Sequence, residues 1–435
     1  MKLTIHRGSH EIGGNCVEIA TDTTRVILDA GLPLDDLADD RERAKKPRLR
    51  AGSPLPEGLA PRVAGLFSAG PAIHAIMLSH AHADHSGLLA HTQPHIPIYL
   101  TAGTSKMLLA GAIFAGQVKL DRQRCRTLVP GKPVLVGDIS ITPYLVDHSA
   151  YAGVALLVEA GGKRLLYSGD LRLHGRRTER ARVLIDAAAR KPLDVLVMEG
   201  THFSGNRAGG ITELELEKQI LARITEAPAL VLAIFSPMHV DRLLSFYNAA
   251  RKAGRTFVVD VYGAFVLHLI NGSDDFPKPR AADGVRVLYH ETLAKSSEKN
   301  CLQKIEGKHP PARIQLTEIL AHAAKHLMLF RPSMLPRDFH GQFPAQTLCL
   351  YSYWHGYLSQ PNSPWTDLKA KLAEVGGTFR ECHTSGHIFA EDIVKLVKAL
   401  NPRQVVPIHT KTPAVFATHF SNVRFVRDGE TLDIE

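Results

Sequence analysis

The chain has 435 residues, 45% of them hydrophobic, and its 52 lysines and arginines outnumber 43 aspartates and glutamates to give a formal net charge of +9. This length predicts two domains. No apolar run is long enough to cross a membrane, and residues 1–6 have the pattern of a strand rather than a cleavable signal, so a cytoplasmic protein without a membrane partner is expected. The basic excess favours an anionic partner such as nucleic acid.

The N-terminal part of the chain alternates β-rich runs with turns. Strands are predicted at residues 25–29, 75–79, 139–146, 163–168 and 193–198. Each run leads directly into polar residues that can do chemistry, which is how sheet-based α/β enzymes commonly build their sites.

After Gly200 the pattern changes. The sequence from Thr212 to Glu215 is a capping box that predicts a helix to about residue 226, and residues 231–235, 240–253 and 256–261 predict a β-α-β unit. A strand at 379–383, a helix at 390–400 and a buried strand at 404–408 then restore the earlier pattern. This order predicts one domain interrupted by another.

The segment His80-Ala-His82-Ala-Asp84-His85 carries the strongest chemical signal. Alternate residues of an extended segment face the same way, so His80 and His82 can reach one metal ion, while Asp84 and His85 at the following turn can reach a second. A chance occurrence of this pattern is improbable for a chain of this composition.

Zinc needs further nitrogen and oxygen ligands from elsewhere in the chain. Three candidates follow predicted strands, namely His148, Asp170 and His409. The five cysteines lack C-x-x-C spacing, which argues against a thiolate zinc site and against a disulfide framework.

The ordered series Asp29, His80 to His85, His148, Asp170 and His409 resembles the five motifs of the metallo-β-lactamase superfamily. The resemblance implies an α/β fold of the αββα sandwich type. It also implies that His80, His82 and His148 hold one zinc, that Asp84, His85 and His409 hold the other, and that Asp170 bridges both. Asp29 would support the ligands from behind.

The interrupting segment resembles the β-CASP insertion of ribonuclease J and related RNA- and DNA-processing nucleases. Glu199 would correspond to the acidic motif A, His387 to motif B and His409 to motif C. The predicted organisation is a metallo-β-lactamase domain at 1–204, an inserted α/β β-CASP domain at 205–377 and the rest of the first domain at 378–435.

This resemblance implies hydrolysis of phosphodiester bonds in RNA or single-stranded DNA, with two Zn²⁺ ions, or Mn²⁺ or Mg²⁺ in their place, activating a bridging hydroxide. Asp84, Glu199 and His387 are the expected catalytic residues. The expected phosphate-binding residues are His383, Ser385, Gly386, Arg331 and Ser333, although a plain turn explains the Ser-Gly pair and the Arg331 segment as well. The aromatic run Tyr351, Tyr353, Trp354 and Tyr357 suits either base stacking or domain packing.

The sequence also departs from ribonuclease J. Residues 348–355 replace its Thr-Gly-Ser-Gln-Gly-Glu-like segment, and His409 is followed by Thr410 and Lys411 rather than Gly-Glu. The chain ends soon afterwards, which predicts that the C-terminal domain of ribonuclease J is absent. Two alternatives stay open: a hydrolase of small esters, thioesters or lactams, and a non-catalytic RNA-binding β-CASP subunit.

Overall fold

The computed structural model describes residues 1–34, 54–117, 119–204, 209–270, 276–289, 296–308, 312–359 and 364–435. The chain divides into two compact units. The first unit comprises Met1–Gly210 and Gly386–Glu435, and the second comprises Ile211–Ser385. Within the described residues, no helix is long and apolar enough to span a membrane.

The first unit contains two sheets. In spatial order, the first sheet has strands Thr431–Asp433, Lys2–Arg7, Cys16–Ala20, Arg25–Leu28, Ala75–Met77, Ile98–Thr101 and Cys125–Leu128. The second sheet has strands Gln404–Ile408, Val195–Glu199, Lys163–Tyr167, Val154–Ala160, Ile139–Leu145 and Val134–Val136. The α-helices of this unit are Ala83–Ser86, Ala102–Phe114, Glu179–Ala188, Ala390–Leu400 and Phe416–His419. Its short 3₁₀ turns are Leu89–His91, Arg122–Arg124, Thr201–Ser204 and Pro413–Val415.

The strand Val154–Ala160 shows how these sheets build the core. Its residues alternate between two apolar clusters, because successive side chains of a strand point to opposite faces. Leu156 and Val158 pack in the cluster between the two sheets, whereas Ala155 and Leu157 pack in a second cluster with helical residues such as Leu396. A third cluster covers the outer face of the first sheet. These layers confirm the predicted αββα sandwich.

The second unit is built on one sheet in which every strand pair is parallel. In spatial order its strands are Arg313–Ile314, Val285–Leu288, Thr256–Asp260, His326–Leu329, Val231–Ile234, Leu348–Tyr351 and Thr378–Glu381. Its α-helices are Glu213–Glu226, Val240–Lys252, Val261–Leu269, Ser296–Lys308, Leu316–Ala321, Met334–Arg337 and Pro364–Glu374. Its 3₁₀ turns are Ala281–Asp283, Ala323–Lys325 and His355–Leu358.

The helix Glu213–Glu226 begins as its sequence predicts. The side chain of Thr212 accepts a hydrogen bond from the Glu215 backbone N–H, and the Glu215 carboxylate accepts one from the Thr212 backbone N–H. This capping box satisfies two amides that the helix itself leaves unpaired. The prediction of a helix at this position is therefore confirmed.

The unit boundaries differ from the predicted 204/205 and 377/378. They lie after Gly210 and after Ser385. The second boundary lies later because the strand Thr378–Glu381 pairs in parallel with Leu348–Tyr351 and so joins the sheet of the second unit.

Candidate metal centre

Histidine and carboxylate side chains from distant parts of the chain meet at one edge of the first unit. His80 and His82 come shortly after the strand Ala75–Met77, and Glu199 ends the strand Val195–Glu199. Three further side chains lie within three residues after the ends of strands of the second sheet, namely His148, Asp170 and His409. These strand exits place chemically active groups on a rigid scaffold.

One cluster consists of His80, His82, His148 and Asp170, whose potential ligand atoms all lie within 4.8 Å of one another. His80 Nε2 is 3.6 Å from Asp170 Oδ2, and His148 Nε2 is 3.8 Å from the same oxygen. On its other side, His148 donates from Nδ1 to the carbonyl oxygen of Gly386 at 2.6 Å. That bond leaves Nε2 as the nitrogen that faces the cluster.

A second cluster consists of Asp84, His85, Asp170 and His409, so it shares Asp170 with the first. His85 Nε2 is 3.1 Å from Asp170 Oδ2, and His409 Nε2 is 3.3 Å from Asp84 Oδ2. All four residues are buried. A shared carboxylate between two sets of ligands is the arrangement that lets one residue bridge two ions.

Asp29 supports this second cluster. Its carboxylate accepts hydrogen bonds from His85 Nδ1 at 2.8 Å, from the Ser79 hydroxyl at 2.7 Å and from the Tyr167 hydroxyl at 2.7 Å. Such a partner fixes the orientation and tautomer of a ligating imidazole. Asp29 has a φ of 61°, which is uncommon for a residue with a side chain, so its backbone is strained. This conformation accompanies the three hydrogen bonds that its carboxylate accepts.

Thr201, which has no distinctive pattern in the sequence, links three of the predicted site residues, Glu199, His387 and His409. Its hydroxyl donates to Glu199 Oε2 at 2.7 Å and lies 2.9 Å from His409 Nδ1 and 3.2 Å from His387 Nδ1. Since the hydroxyl proton goes to Glu199, the hydroxyl oxygen accepts from His409 Nδ1, which turns His409 Nε2 toward Asp84. The only signal in the sequence is that Thr201 lies two residues after Glu199.

Glu199 and His387 lie beside Asp170. Either carboxylate oxygen of Glu199 is 3.3 Å from His387 Nδ1, and Asp170 Oδ2 is 3.7 Å from the same nitrogen. Glu199 is fully buried, whereas 23% of the His387 side chain is exposed. His387 is therefore the member of this group that can reach a bound molecule.

The buried charges shift the pKa values of the cluster. Burial lowers the pKa of His80 and of His148 well below the usual value, which favours neutral imidazoles. Burial opposes ionisation of Asp84, yet the nearby charge of His85 and the contact with His409 lower its pKa to about 2. Burial likewise opposes protonation of His387, but Glu199 and Asp170 raise its pKa to about 9.

These residues fit a metal. His80 Nε2, His85 Nε2 and both carboxylate oxygens of Asp170 are buried atoms without a hydrogen-bond partner among the described residues. Buried polar atoms are rarely left unpaired, because each one costs about 1–3 kcal/mol. Neutral imidazoles and carboxylates are zinc ligands, so a cation between these atoms would supply the missing partners.

The five predicted phosphate-binding residues fall into different units. Arg331, Ser333, His383 and Ser385 belong to the second unit, and Gly386 belongs to the first. Arg331 forms an ion pair with Asp260 at 2.7 Å, and Ser333 accepts hydrogen bonds from Arg337. Gly386 uses its carbonyl to hold His148. Arg331, Ser333 and Gly386 therefore each have a structural partner inside their own unit.

His383 and the backbone of Thr384 contact a buried ion pair of the second unit. Arg242 donates to the Glu213 carboxylate at 2.8 Å and to the Thr384 carbonyl at 2.9 Å, and its guanidinium lies 3.3 Å from His383 Nδ1. Arg242 and Glu213 are both fully buried. No sequence pattern predicts this pair, because each residue alone is an ordinary polar position on a helix.

Two protein families match the chain. Residues 24–239 match the family described as Beta-lactamase superfamily domain. Residues 373–422 match the family described as Zn-dependent metallo-hydrolase RNA specificity domain, and they contain His387 and His409.

Several curated proteins are similar to the chain. Transcription termination factor FttA of Methanothermobacter thermautotrophicus is 26% identical over 60% of this chain and 41% of its own length. An RNase J-like protein of Methanocaldococcus jannaschii is 23% identical over 60% of this chain and 57% of its own length. The chain thus spans about half the length of these two relatives. Ribonuclease J of Pyrococcus abyssi is 22% identical over 94% of this chain and 89% of its own length.

A solved structure supports the fold. The crystal structure of a protein of unknown function from Enterococcus faecalis V583 matches with a TM-score of 0.76 and 22% identity over 99% of each chain. Together, the sandwich, its ligand-bearing strand exits, the inserted parallel sheet and the two matching families lead to one assignment. The chain belongs to the metallo-β-lactamase superfamily, in its β-CASP branch.

Proposed function

We propose that the protein is a two-zinc nuclease that hydrolyses phosphodiester bonds in single-stranded nucleic acid, with RNA as its main substrate. The observation that carries the proposal is the pair of buried ligand clusters that share Asp170, with His387 and Glu199 beside them. The match to an RNA specificity domain and the similarity to ribonuclease J of Pyrococcus abyssi support RNA as the substrate.

The proposed ligands are His80, His82 and His148 for one ion and Asp84, His85 and His409 for the other, with Asp170 between them. Zinc held by these residues would supply Lewis-acid activation of a water molecule and positive charge to offset the charge that develops on the phosphate oxygens. Asp29 and Thr201 keep the side chains that would hold the ions oriented, through their hydrogen bonds to His85 and His409.

His387 has the role of general acid in this proposal. Glu199 engages its Nδ1, so Nε2 is the nitrogen that would donate a proton to the leaving oxygen. Its partial exposure allows contact with a substrate. His383, Ser385, Gly386, Arg331 and Ser333 stay proposed phosphate contacts. For His383, Gly386, Arg331 and Ser333, phosphate binding competes with the structural partner described above.

The test uses protein whose zinc content has been measured. It is incubated with 5′-phosphorylated and 5′-hydroxylated RNA, with single-stranded DNA and with bis(p-nitrophenyl) phosphate. The His82→Ala variant is expected to lose cleavage and bound zinc, whereas His95→Ala, which changes an exposed histidine of the same unit, is expected to keep both. Equal cleavage by His82→Ala would refute the proposal, as would no cleavage by protein that holds two zinc ions.

The same samples test the alternatives. A chromogenic lactam and a thioester serve as small substrates, and faster turnover of either than of RNA would favour a small-molecule hydrolase. Zinc-free protein that binds RNA with unchanged affinity, together with zinc-loaded protein that never cleaves it, would favour a non-catalytic subunit.

A further inference from the structure

An aromatic segment follows the strand Leu348–Tyr351 in the second unit. Its first member, Tyr351, is buried in the core, with ring centroids 4.9 Å from Trp365 and 5.6 Å from Phe379. Trp354 and Tyr357 differ, because 53% of Trp354 and 40% of Tyr357 are exposed. The run therefore separates into a core residue and an exposed aromatic pair.

The exposed pair is held in place by its own segment. The rings of Trp354 and Tyr357 lie 5.4 Å apart and nearly perpendicular, and the Tyr357 N–H donates to the Trp354 carbonyl at 3.2 Å. The Tyr351 hydroxyl donates to the same carbonyl. A β-carbon placed at Gly356 would overlap the indole ring, so only glycine allows the ring to fold over the backbone there. One face of the indole is thus backed by protein before any ligand arrives.

Neighbouring strand exits extend this surface. The strands of the second unit are parallel, so their carboxyl ends lie along one edge of the sheet, where ligands of open α/β sheets commonly bind. At this edge the Arg331 guanidinium stacks 4.8 Å from the ring centroid of Tyr262. Burial and, to a smaller degree, the phenol of Tyr353 raise the pKa of Tyr262, and the Tyr353 ring lies 6.5 Å from that of Tyr357. Tyr262 itself is buried and backs Arg331 from below the surface. We call the solvent-accessible side chains Arg331, Tyr353, Trp354 and Tyr357 the aromatic ledge.

We propose that the aromatic ledge binds unpaired nucleobases of the substrate strand by stacking on Trp354 and Tyr357. The inference rests on the proposed nuclease function and adds a base-binding site to it. Planar rings with an exposed face suit every base, since stacking needs no particular hydrogen-bond pattern. The Arg331 guanidinium, which lies over the Tyr262 ring and also pairs with Asp260, adds a positive charge beside the aromatic side chains. The chain's net charge of +9 favours an anionic strand as the occupant over a neutral apolar partner.

The experiment uses the two tryptophans of the chain. In the Trp365→Phe variant, Trp354 is the sole indole, so its fluorescence reports on the ledge. Short single-stranded polyuridine is expected to quench this fluorescence in a saturable way, whereas an abasic strand with the same phosphates is expected to quench it little. Trp354→Ala is expected to weaken polyuridine binding about tenfold or more, while Trp354→Phe keeps part of the affinity.

Three controls make the test specific. Leu320→Ala changes another exposed apolar residue of the same unit and is expected to leave binding unchanged. Gly356→Ala displaces the indole without removing it and is expected to weaken binding. Hydrolysis of bis(p-nitrophenyl) phosphate, which has no nucleobase, is expected to be the same in Trp354→Ala, Trp354→Phe and Gly356→Ala as in the parent protein.

The outcomes separate the two proposals. Equal affinity for abasic and base-bearing strands, or unchanged binding by a folded Trp354→Ala protein, would overturn the ledge even where RNA is cleaved. Saturable quenching by polyuridine in a protein that cleaves no phosphodiester would uphold the ledge and overturn the nuclease function. Circular dichroism of each variant shows whether it is folded.

Discussion

Removing the hydroxyl of Thr201 tests how the metal centre is organised. In Thr201→Val the shape is kept, but Glu199 Oε2 loses a donor at 2.7 Å and His409 Nδ1 loses its acceptor at 2.9 Å. Glu199 and His409 are both fully buried, so water does not readily replace the hydroxyl. Each lost partner costs about 1–3 kcal/mol, and losing the support of a ligand typically lowers metal affinity about 10- to 100-fold.

The assay is zinc competition against a chromophoric chelator. We expect the affinity for one of the two zinc equivalents to fall by that factor in Thr201→Val, because His409 is a proposed ligand of only one of the two ions. Thr201→Ser keeps the hydroxyl and should bind both equivalents as the parent protein does. Two equivalents bound by Thr201→Val with unchanged affinity would refute the reasoning.

Two further predictions concern stability. Burial would raise the pKa of Glu18, but hydrogen bonds from His6 and Arg25 lower it from 4.5 to about 2. The carboxylate therefore contributes about 3 kcal/mol above its unfolded pKa, and this is lost as pH falls from 4.5 toward 2. Urea unfolding of Glu18→Gln should show this deficit near neutral pH and a smaller one in acid; a deficit independent of pH would contradict it. Arg242→Met removes the cation that pairs with the buried Glu213 carboxylate, so unfolding of the second unit should become easier by about 3–5 kcal/mol. Adding Glu213→Gln should recover part of the loss, and a single variant as stable as the parent would count against the ion pair.

Much of the candidate metal centre could be predicted from short sequence patterns. His80, His82, Asp84 and His85 lie within six residues, and alternation along an extended segment is enough to predict that they face two metal positions. The same applies to the helix that starts after Thr212, because a capping box involves only neighbouring residues. The family resemblance then predicted His148, Asp170 and His409 as further metal ligands. The structure brings these three residues together with the motif residues.

The tertiary structure decided the rest, because it depends on contacts between residues far apart in the chain. Asp84 and His409 are separated by 325 positions, and only the pairing of strands into one sandwich brings them to 3.3 Å. Thr201 and the Arg242–Glu213 pair carry no distinctive pattern, since a single polar residue acquires its role from its partners. The sequence likewise does not show which of the four aromatic residues in the run are buried. Tertiary packing buries Tyr351 and leaves Trp354 exposed. The sequence by itself determined which candidate ligand residues the chain carries, and the fold decided which other side chains orient and support them.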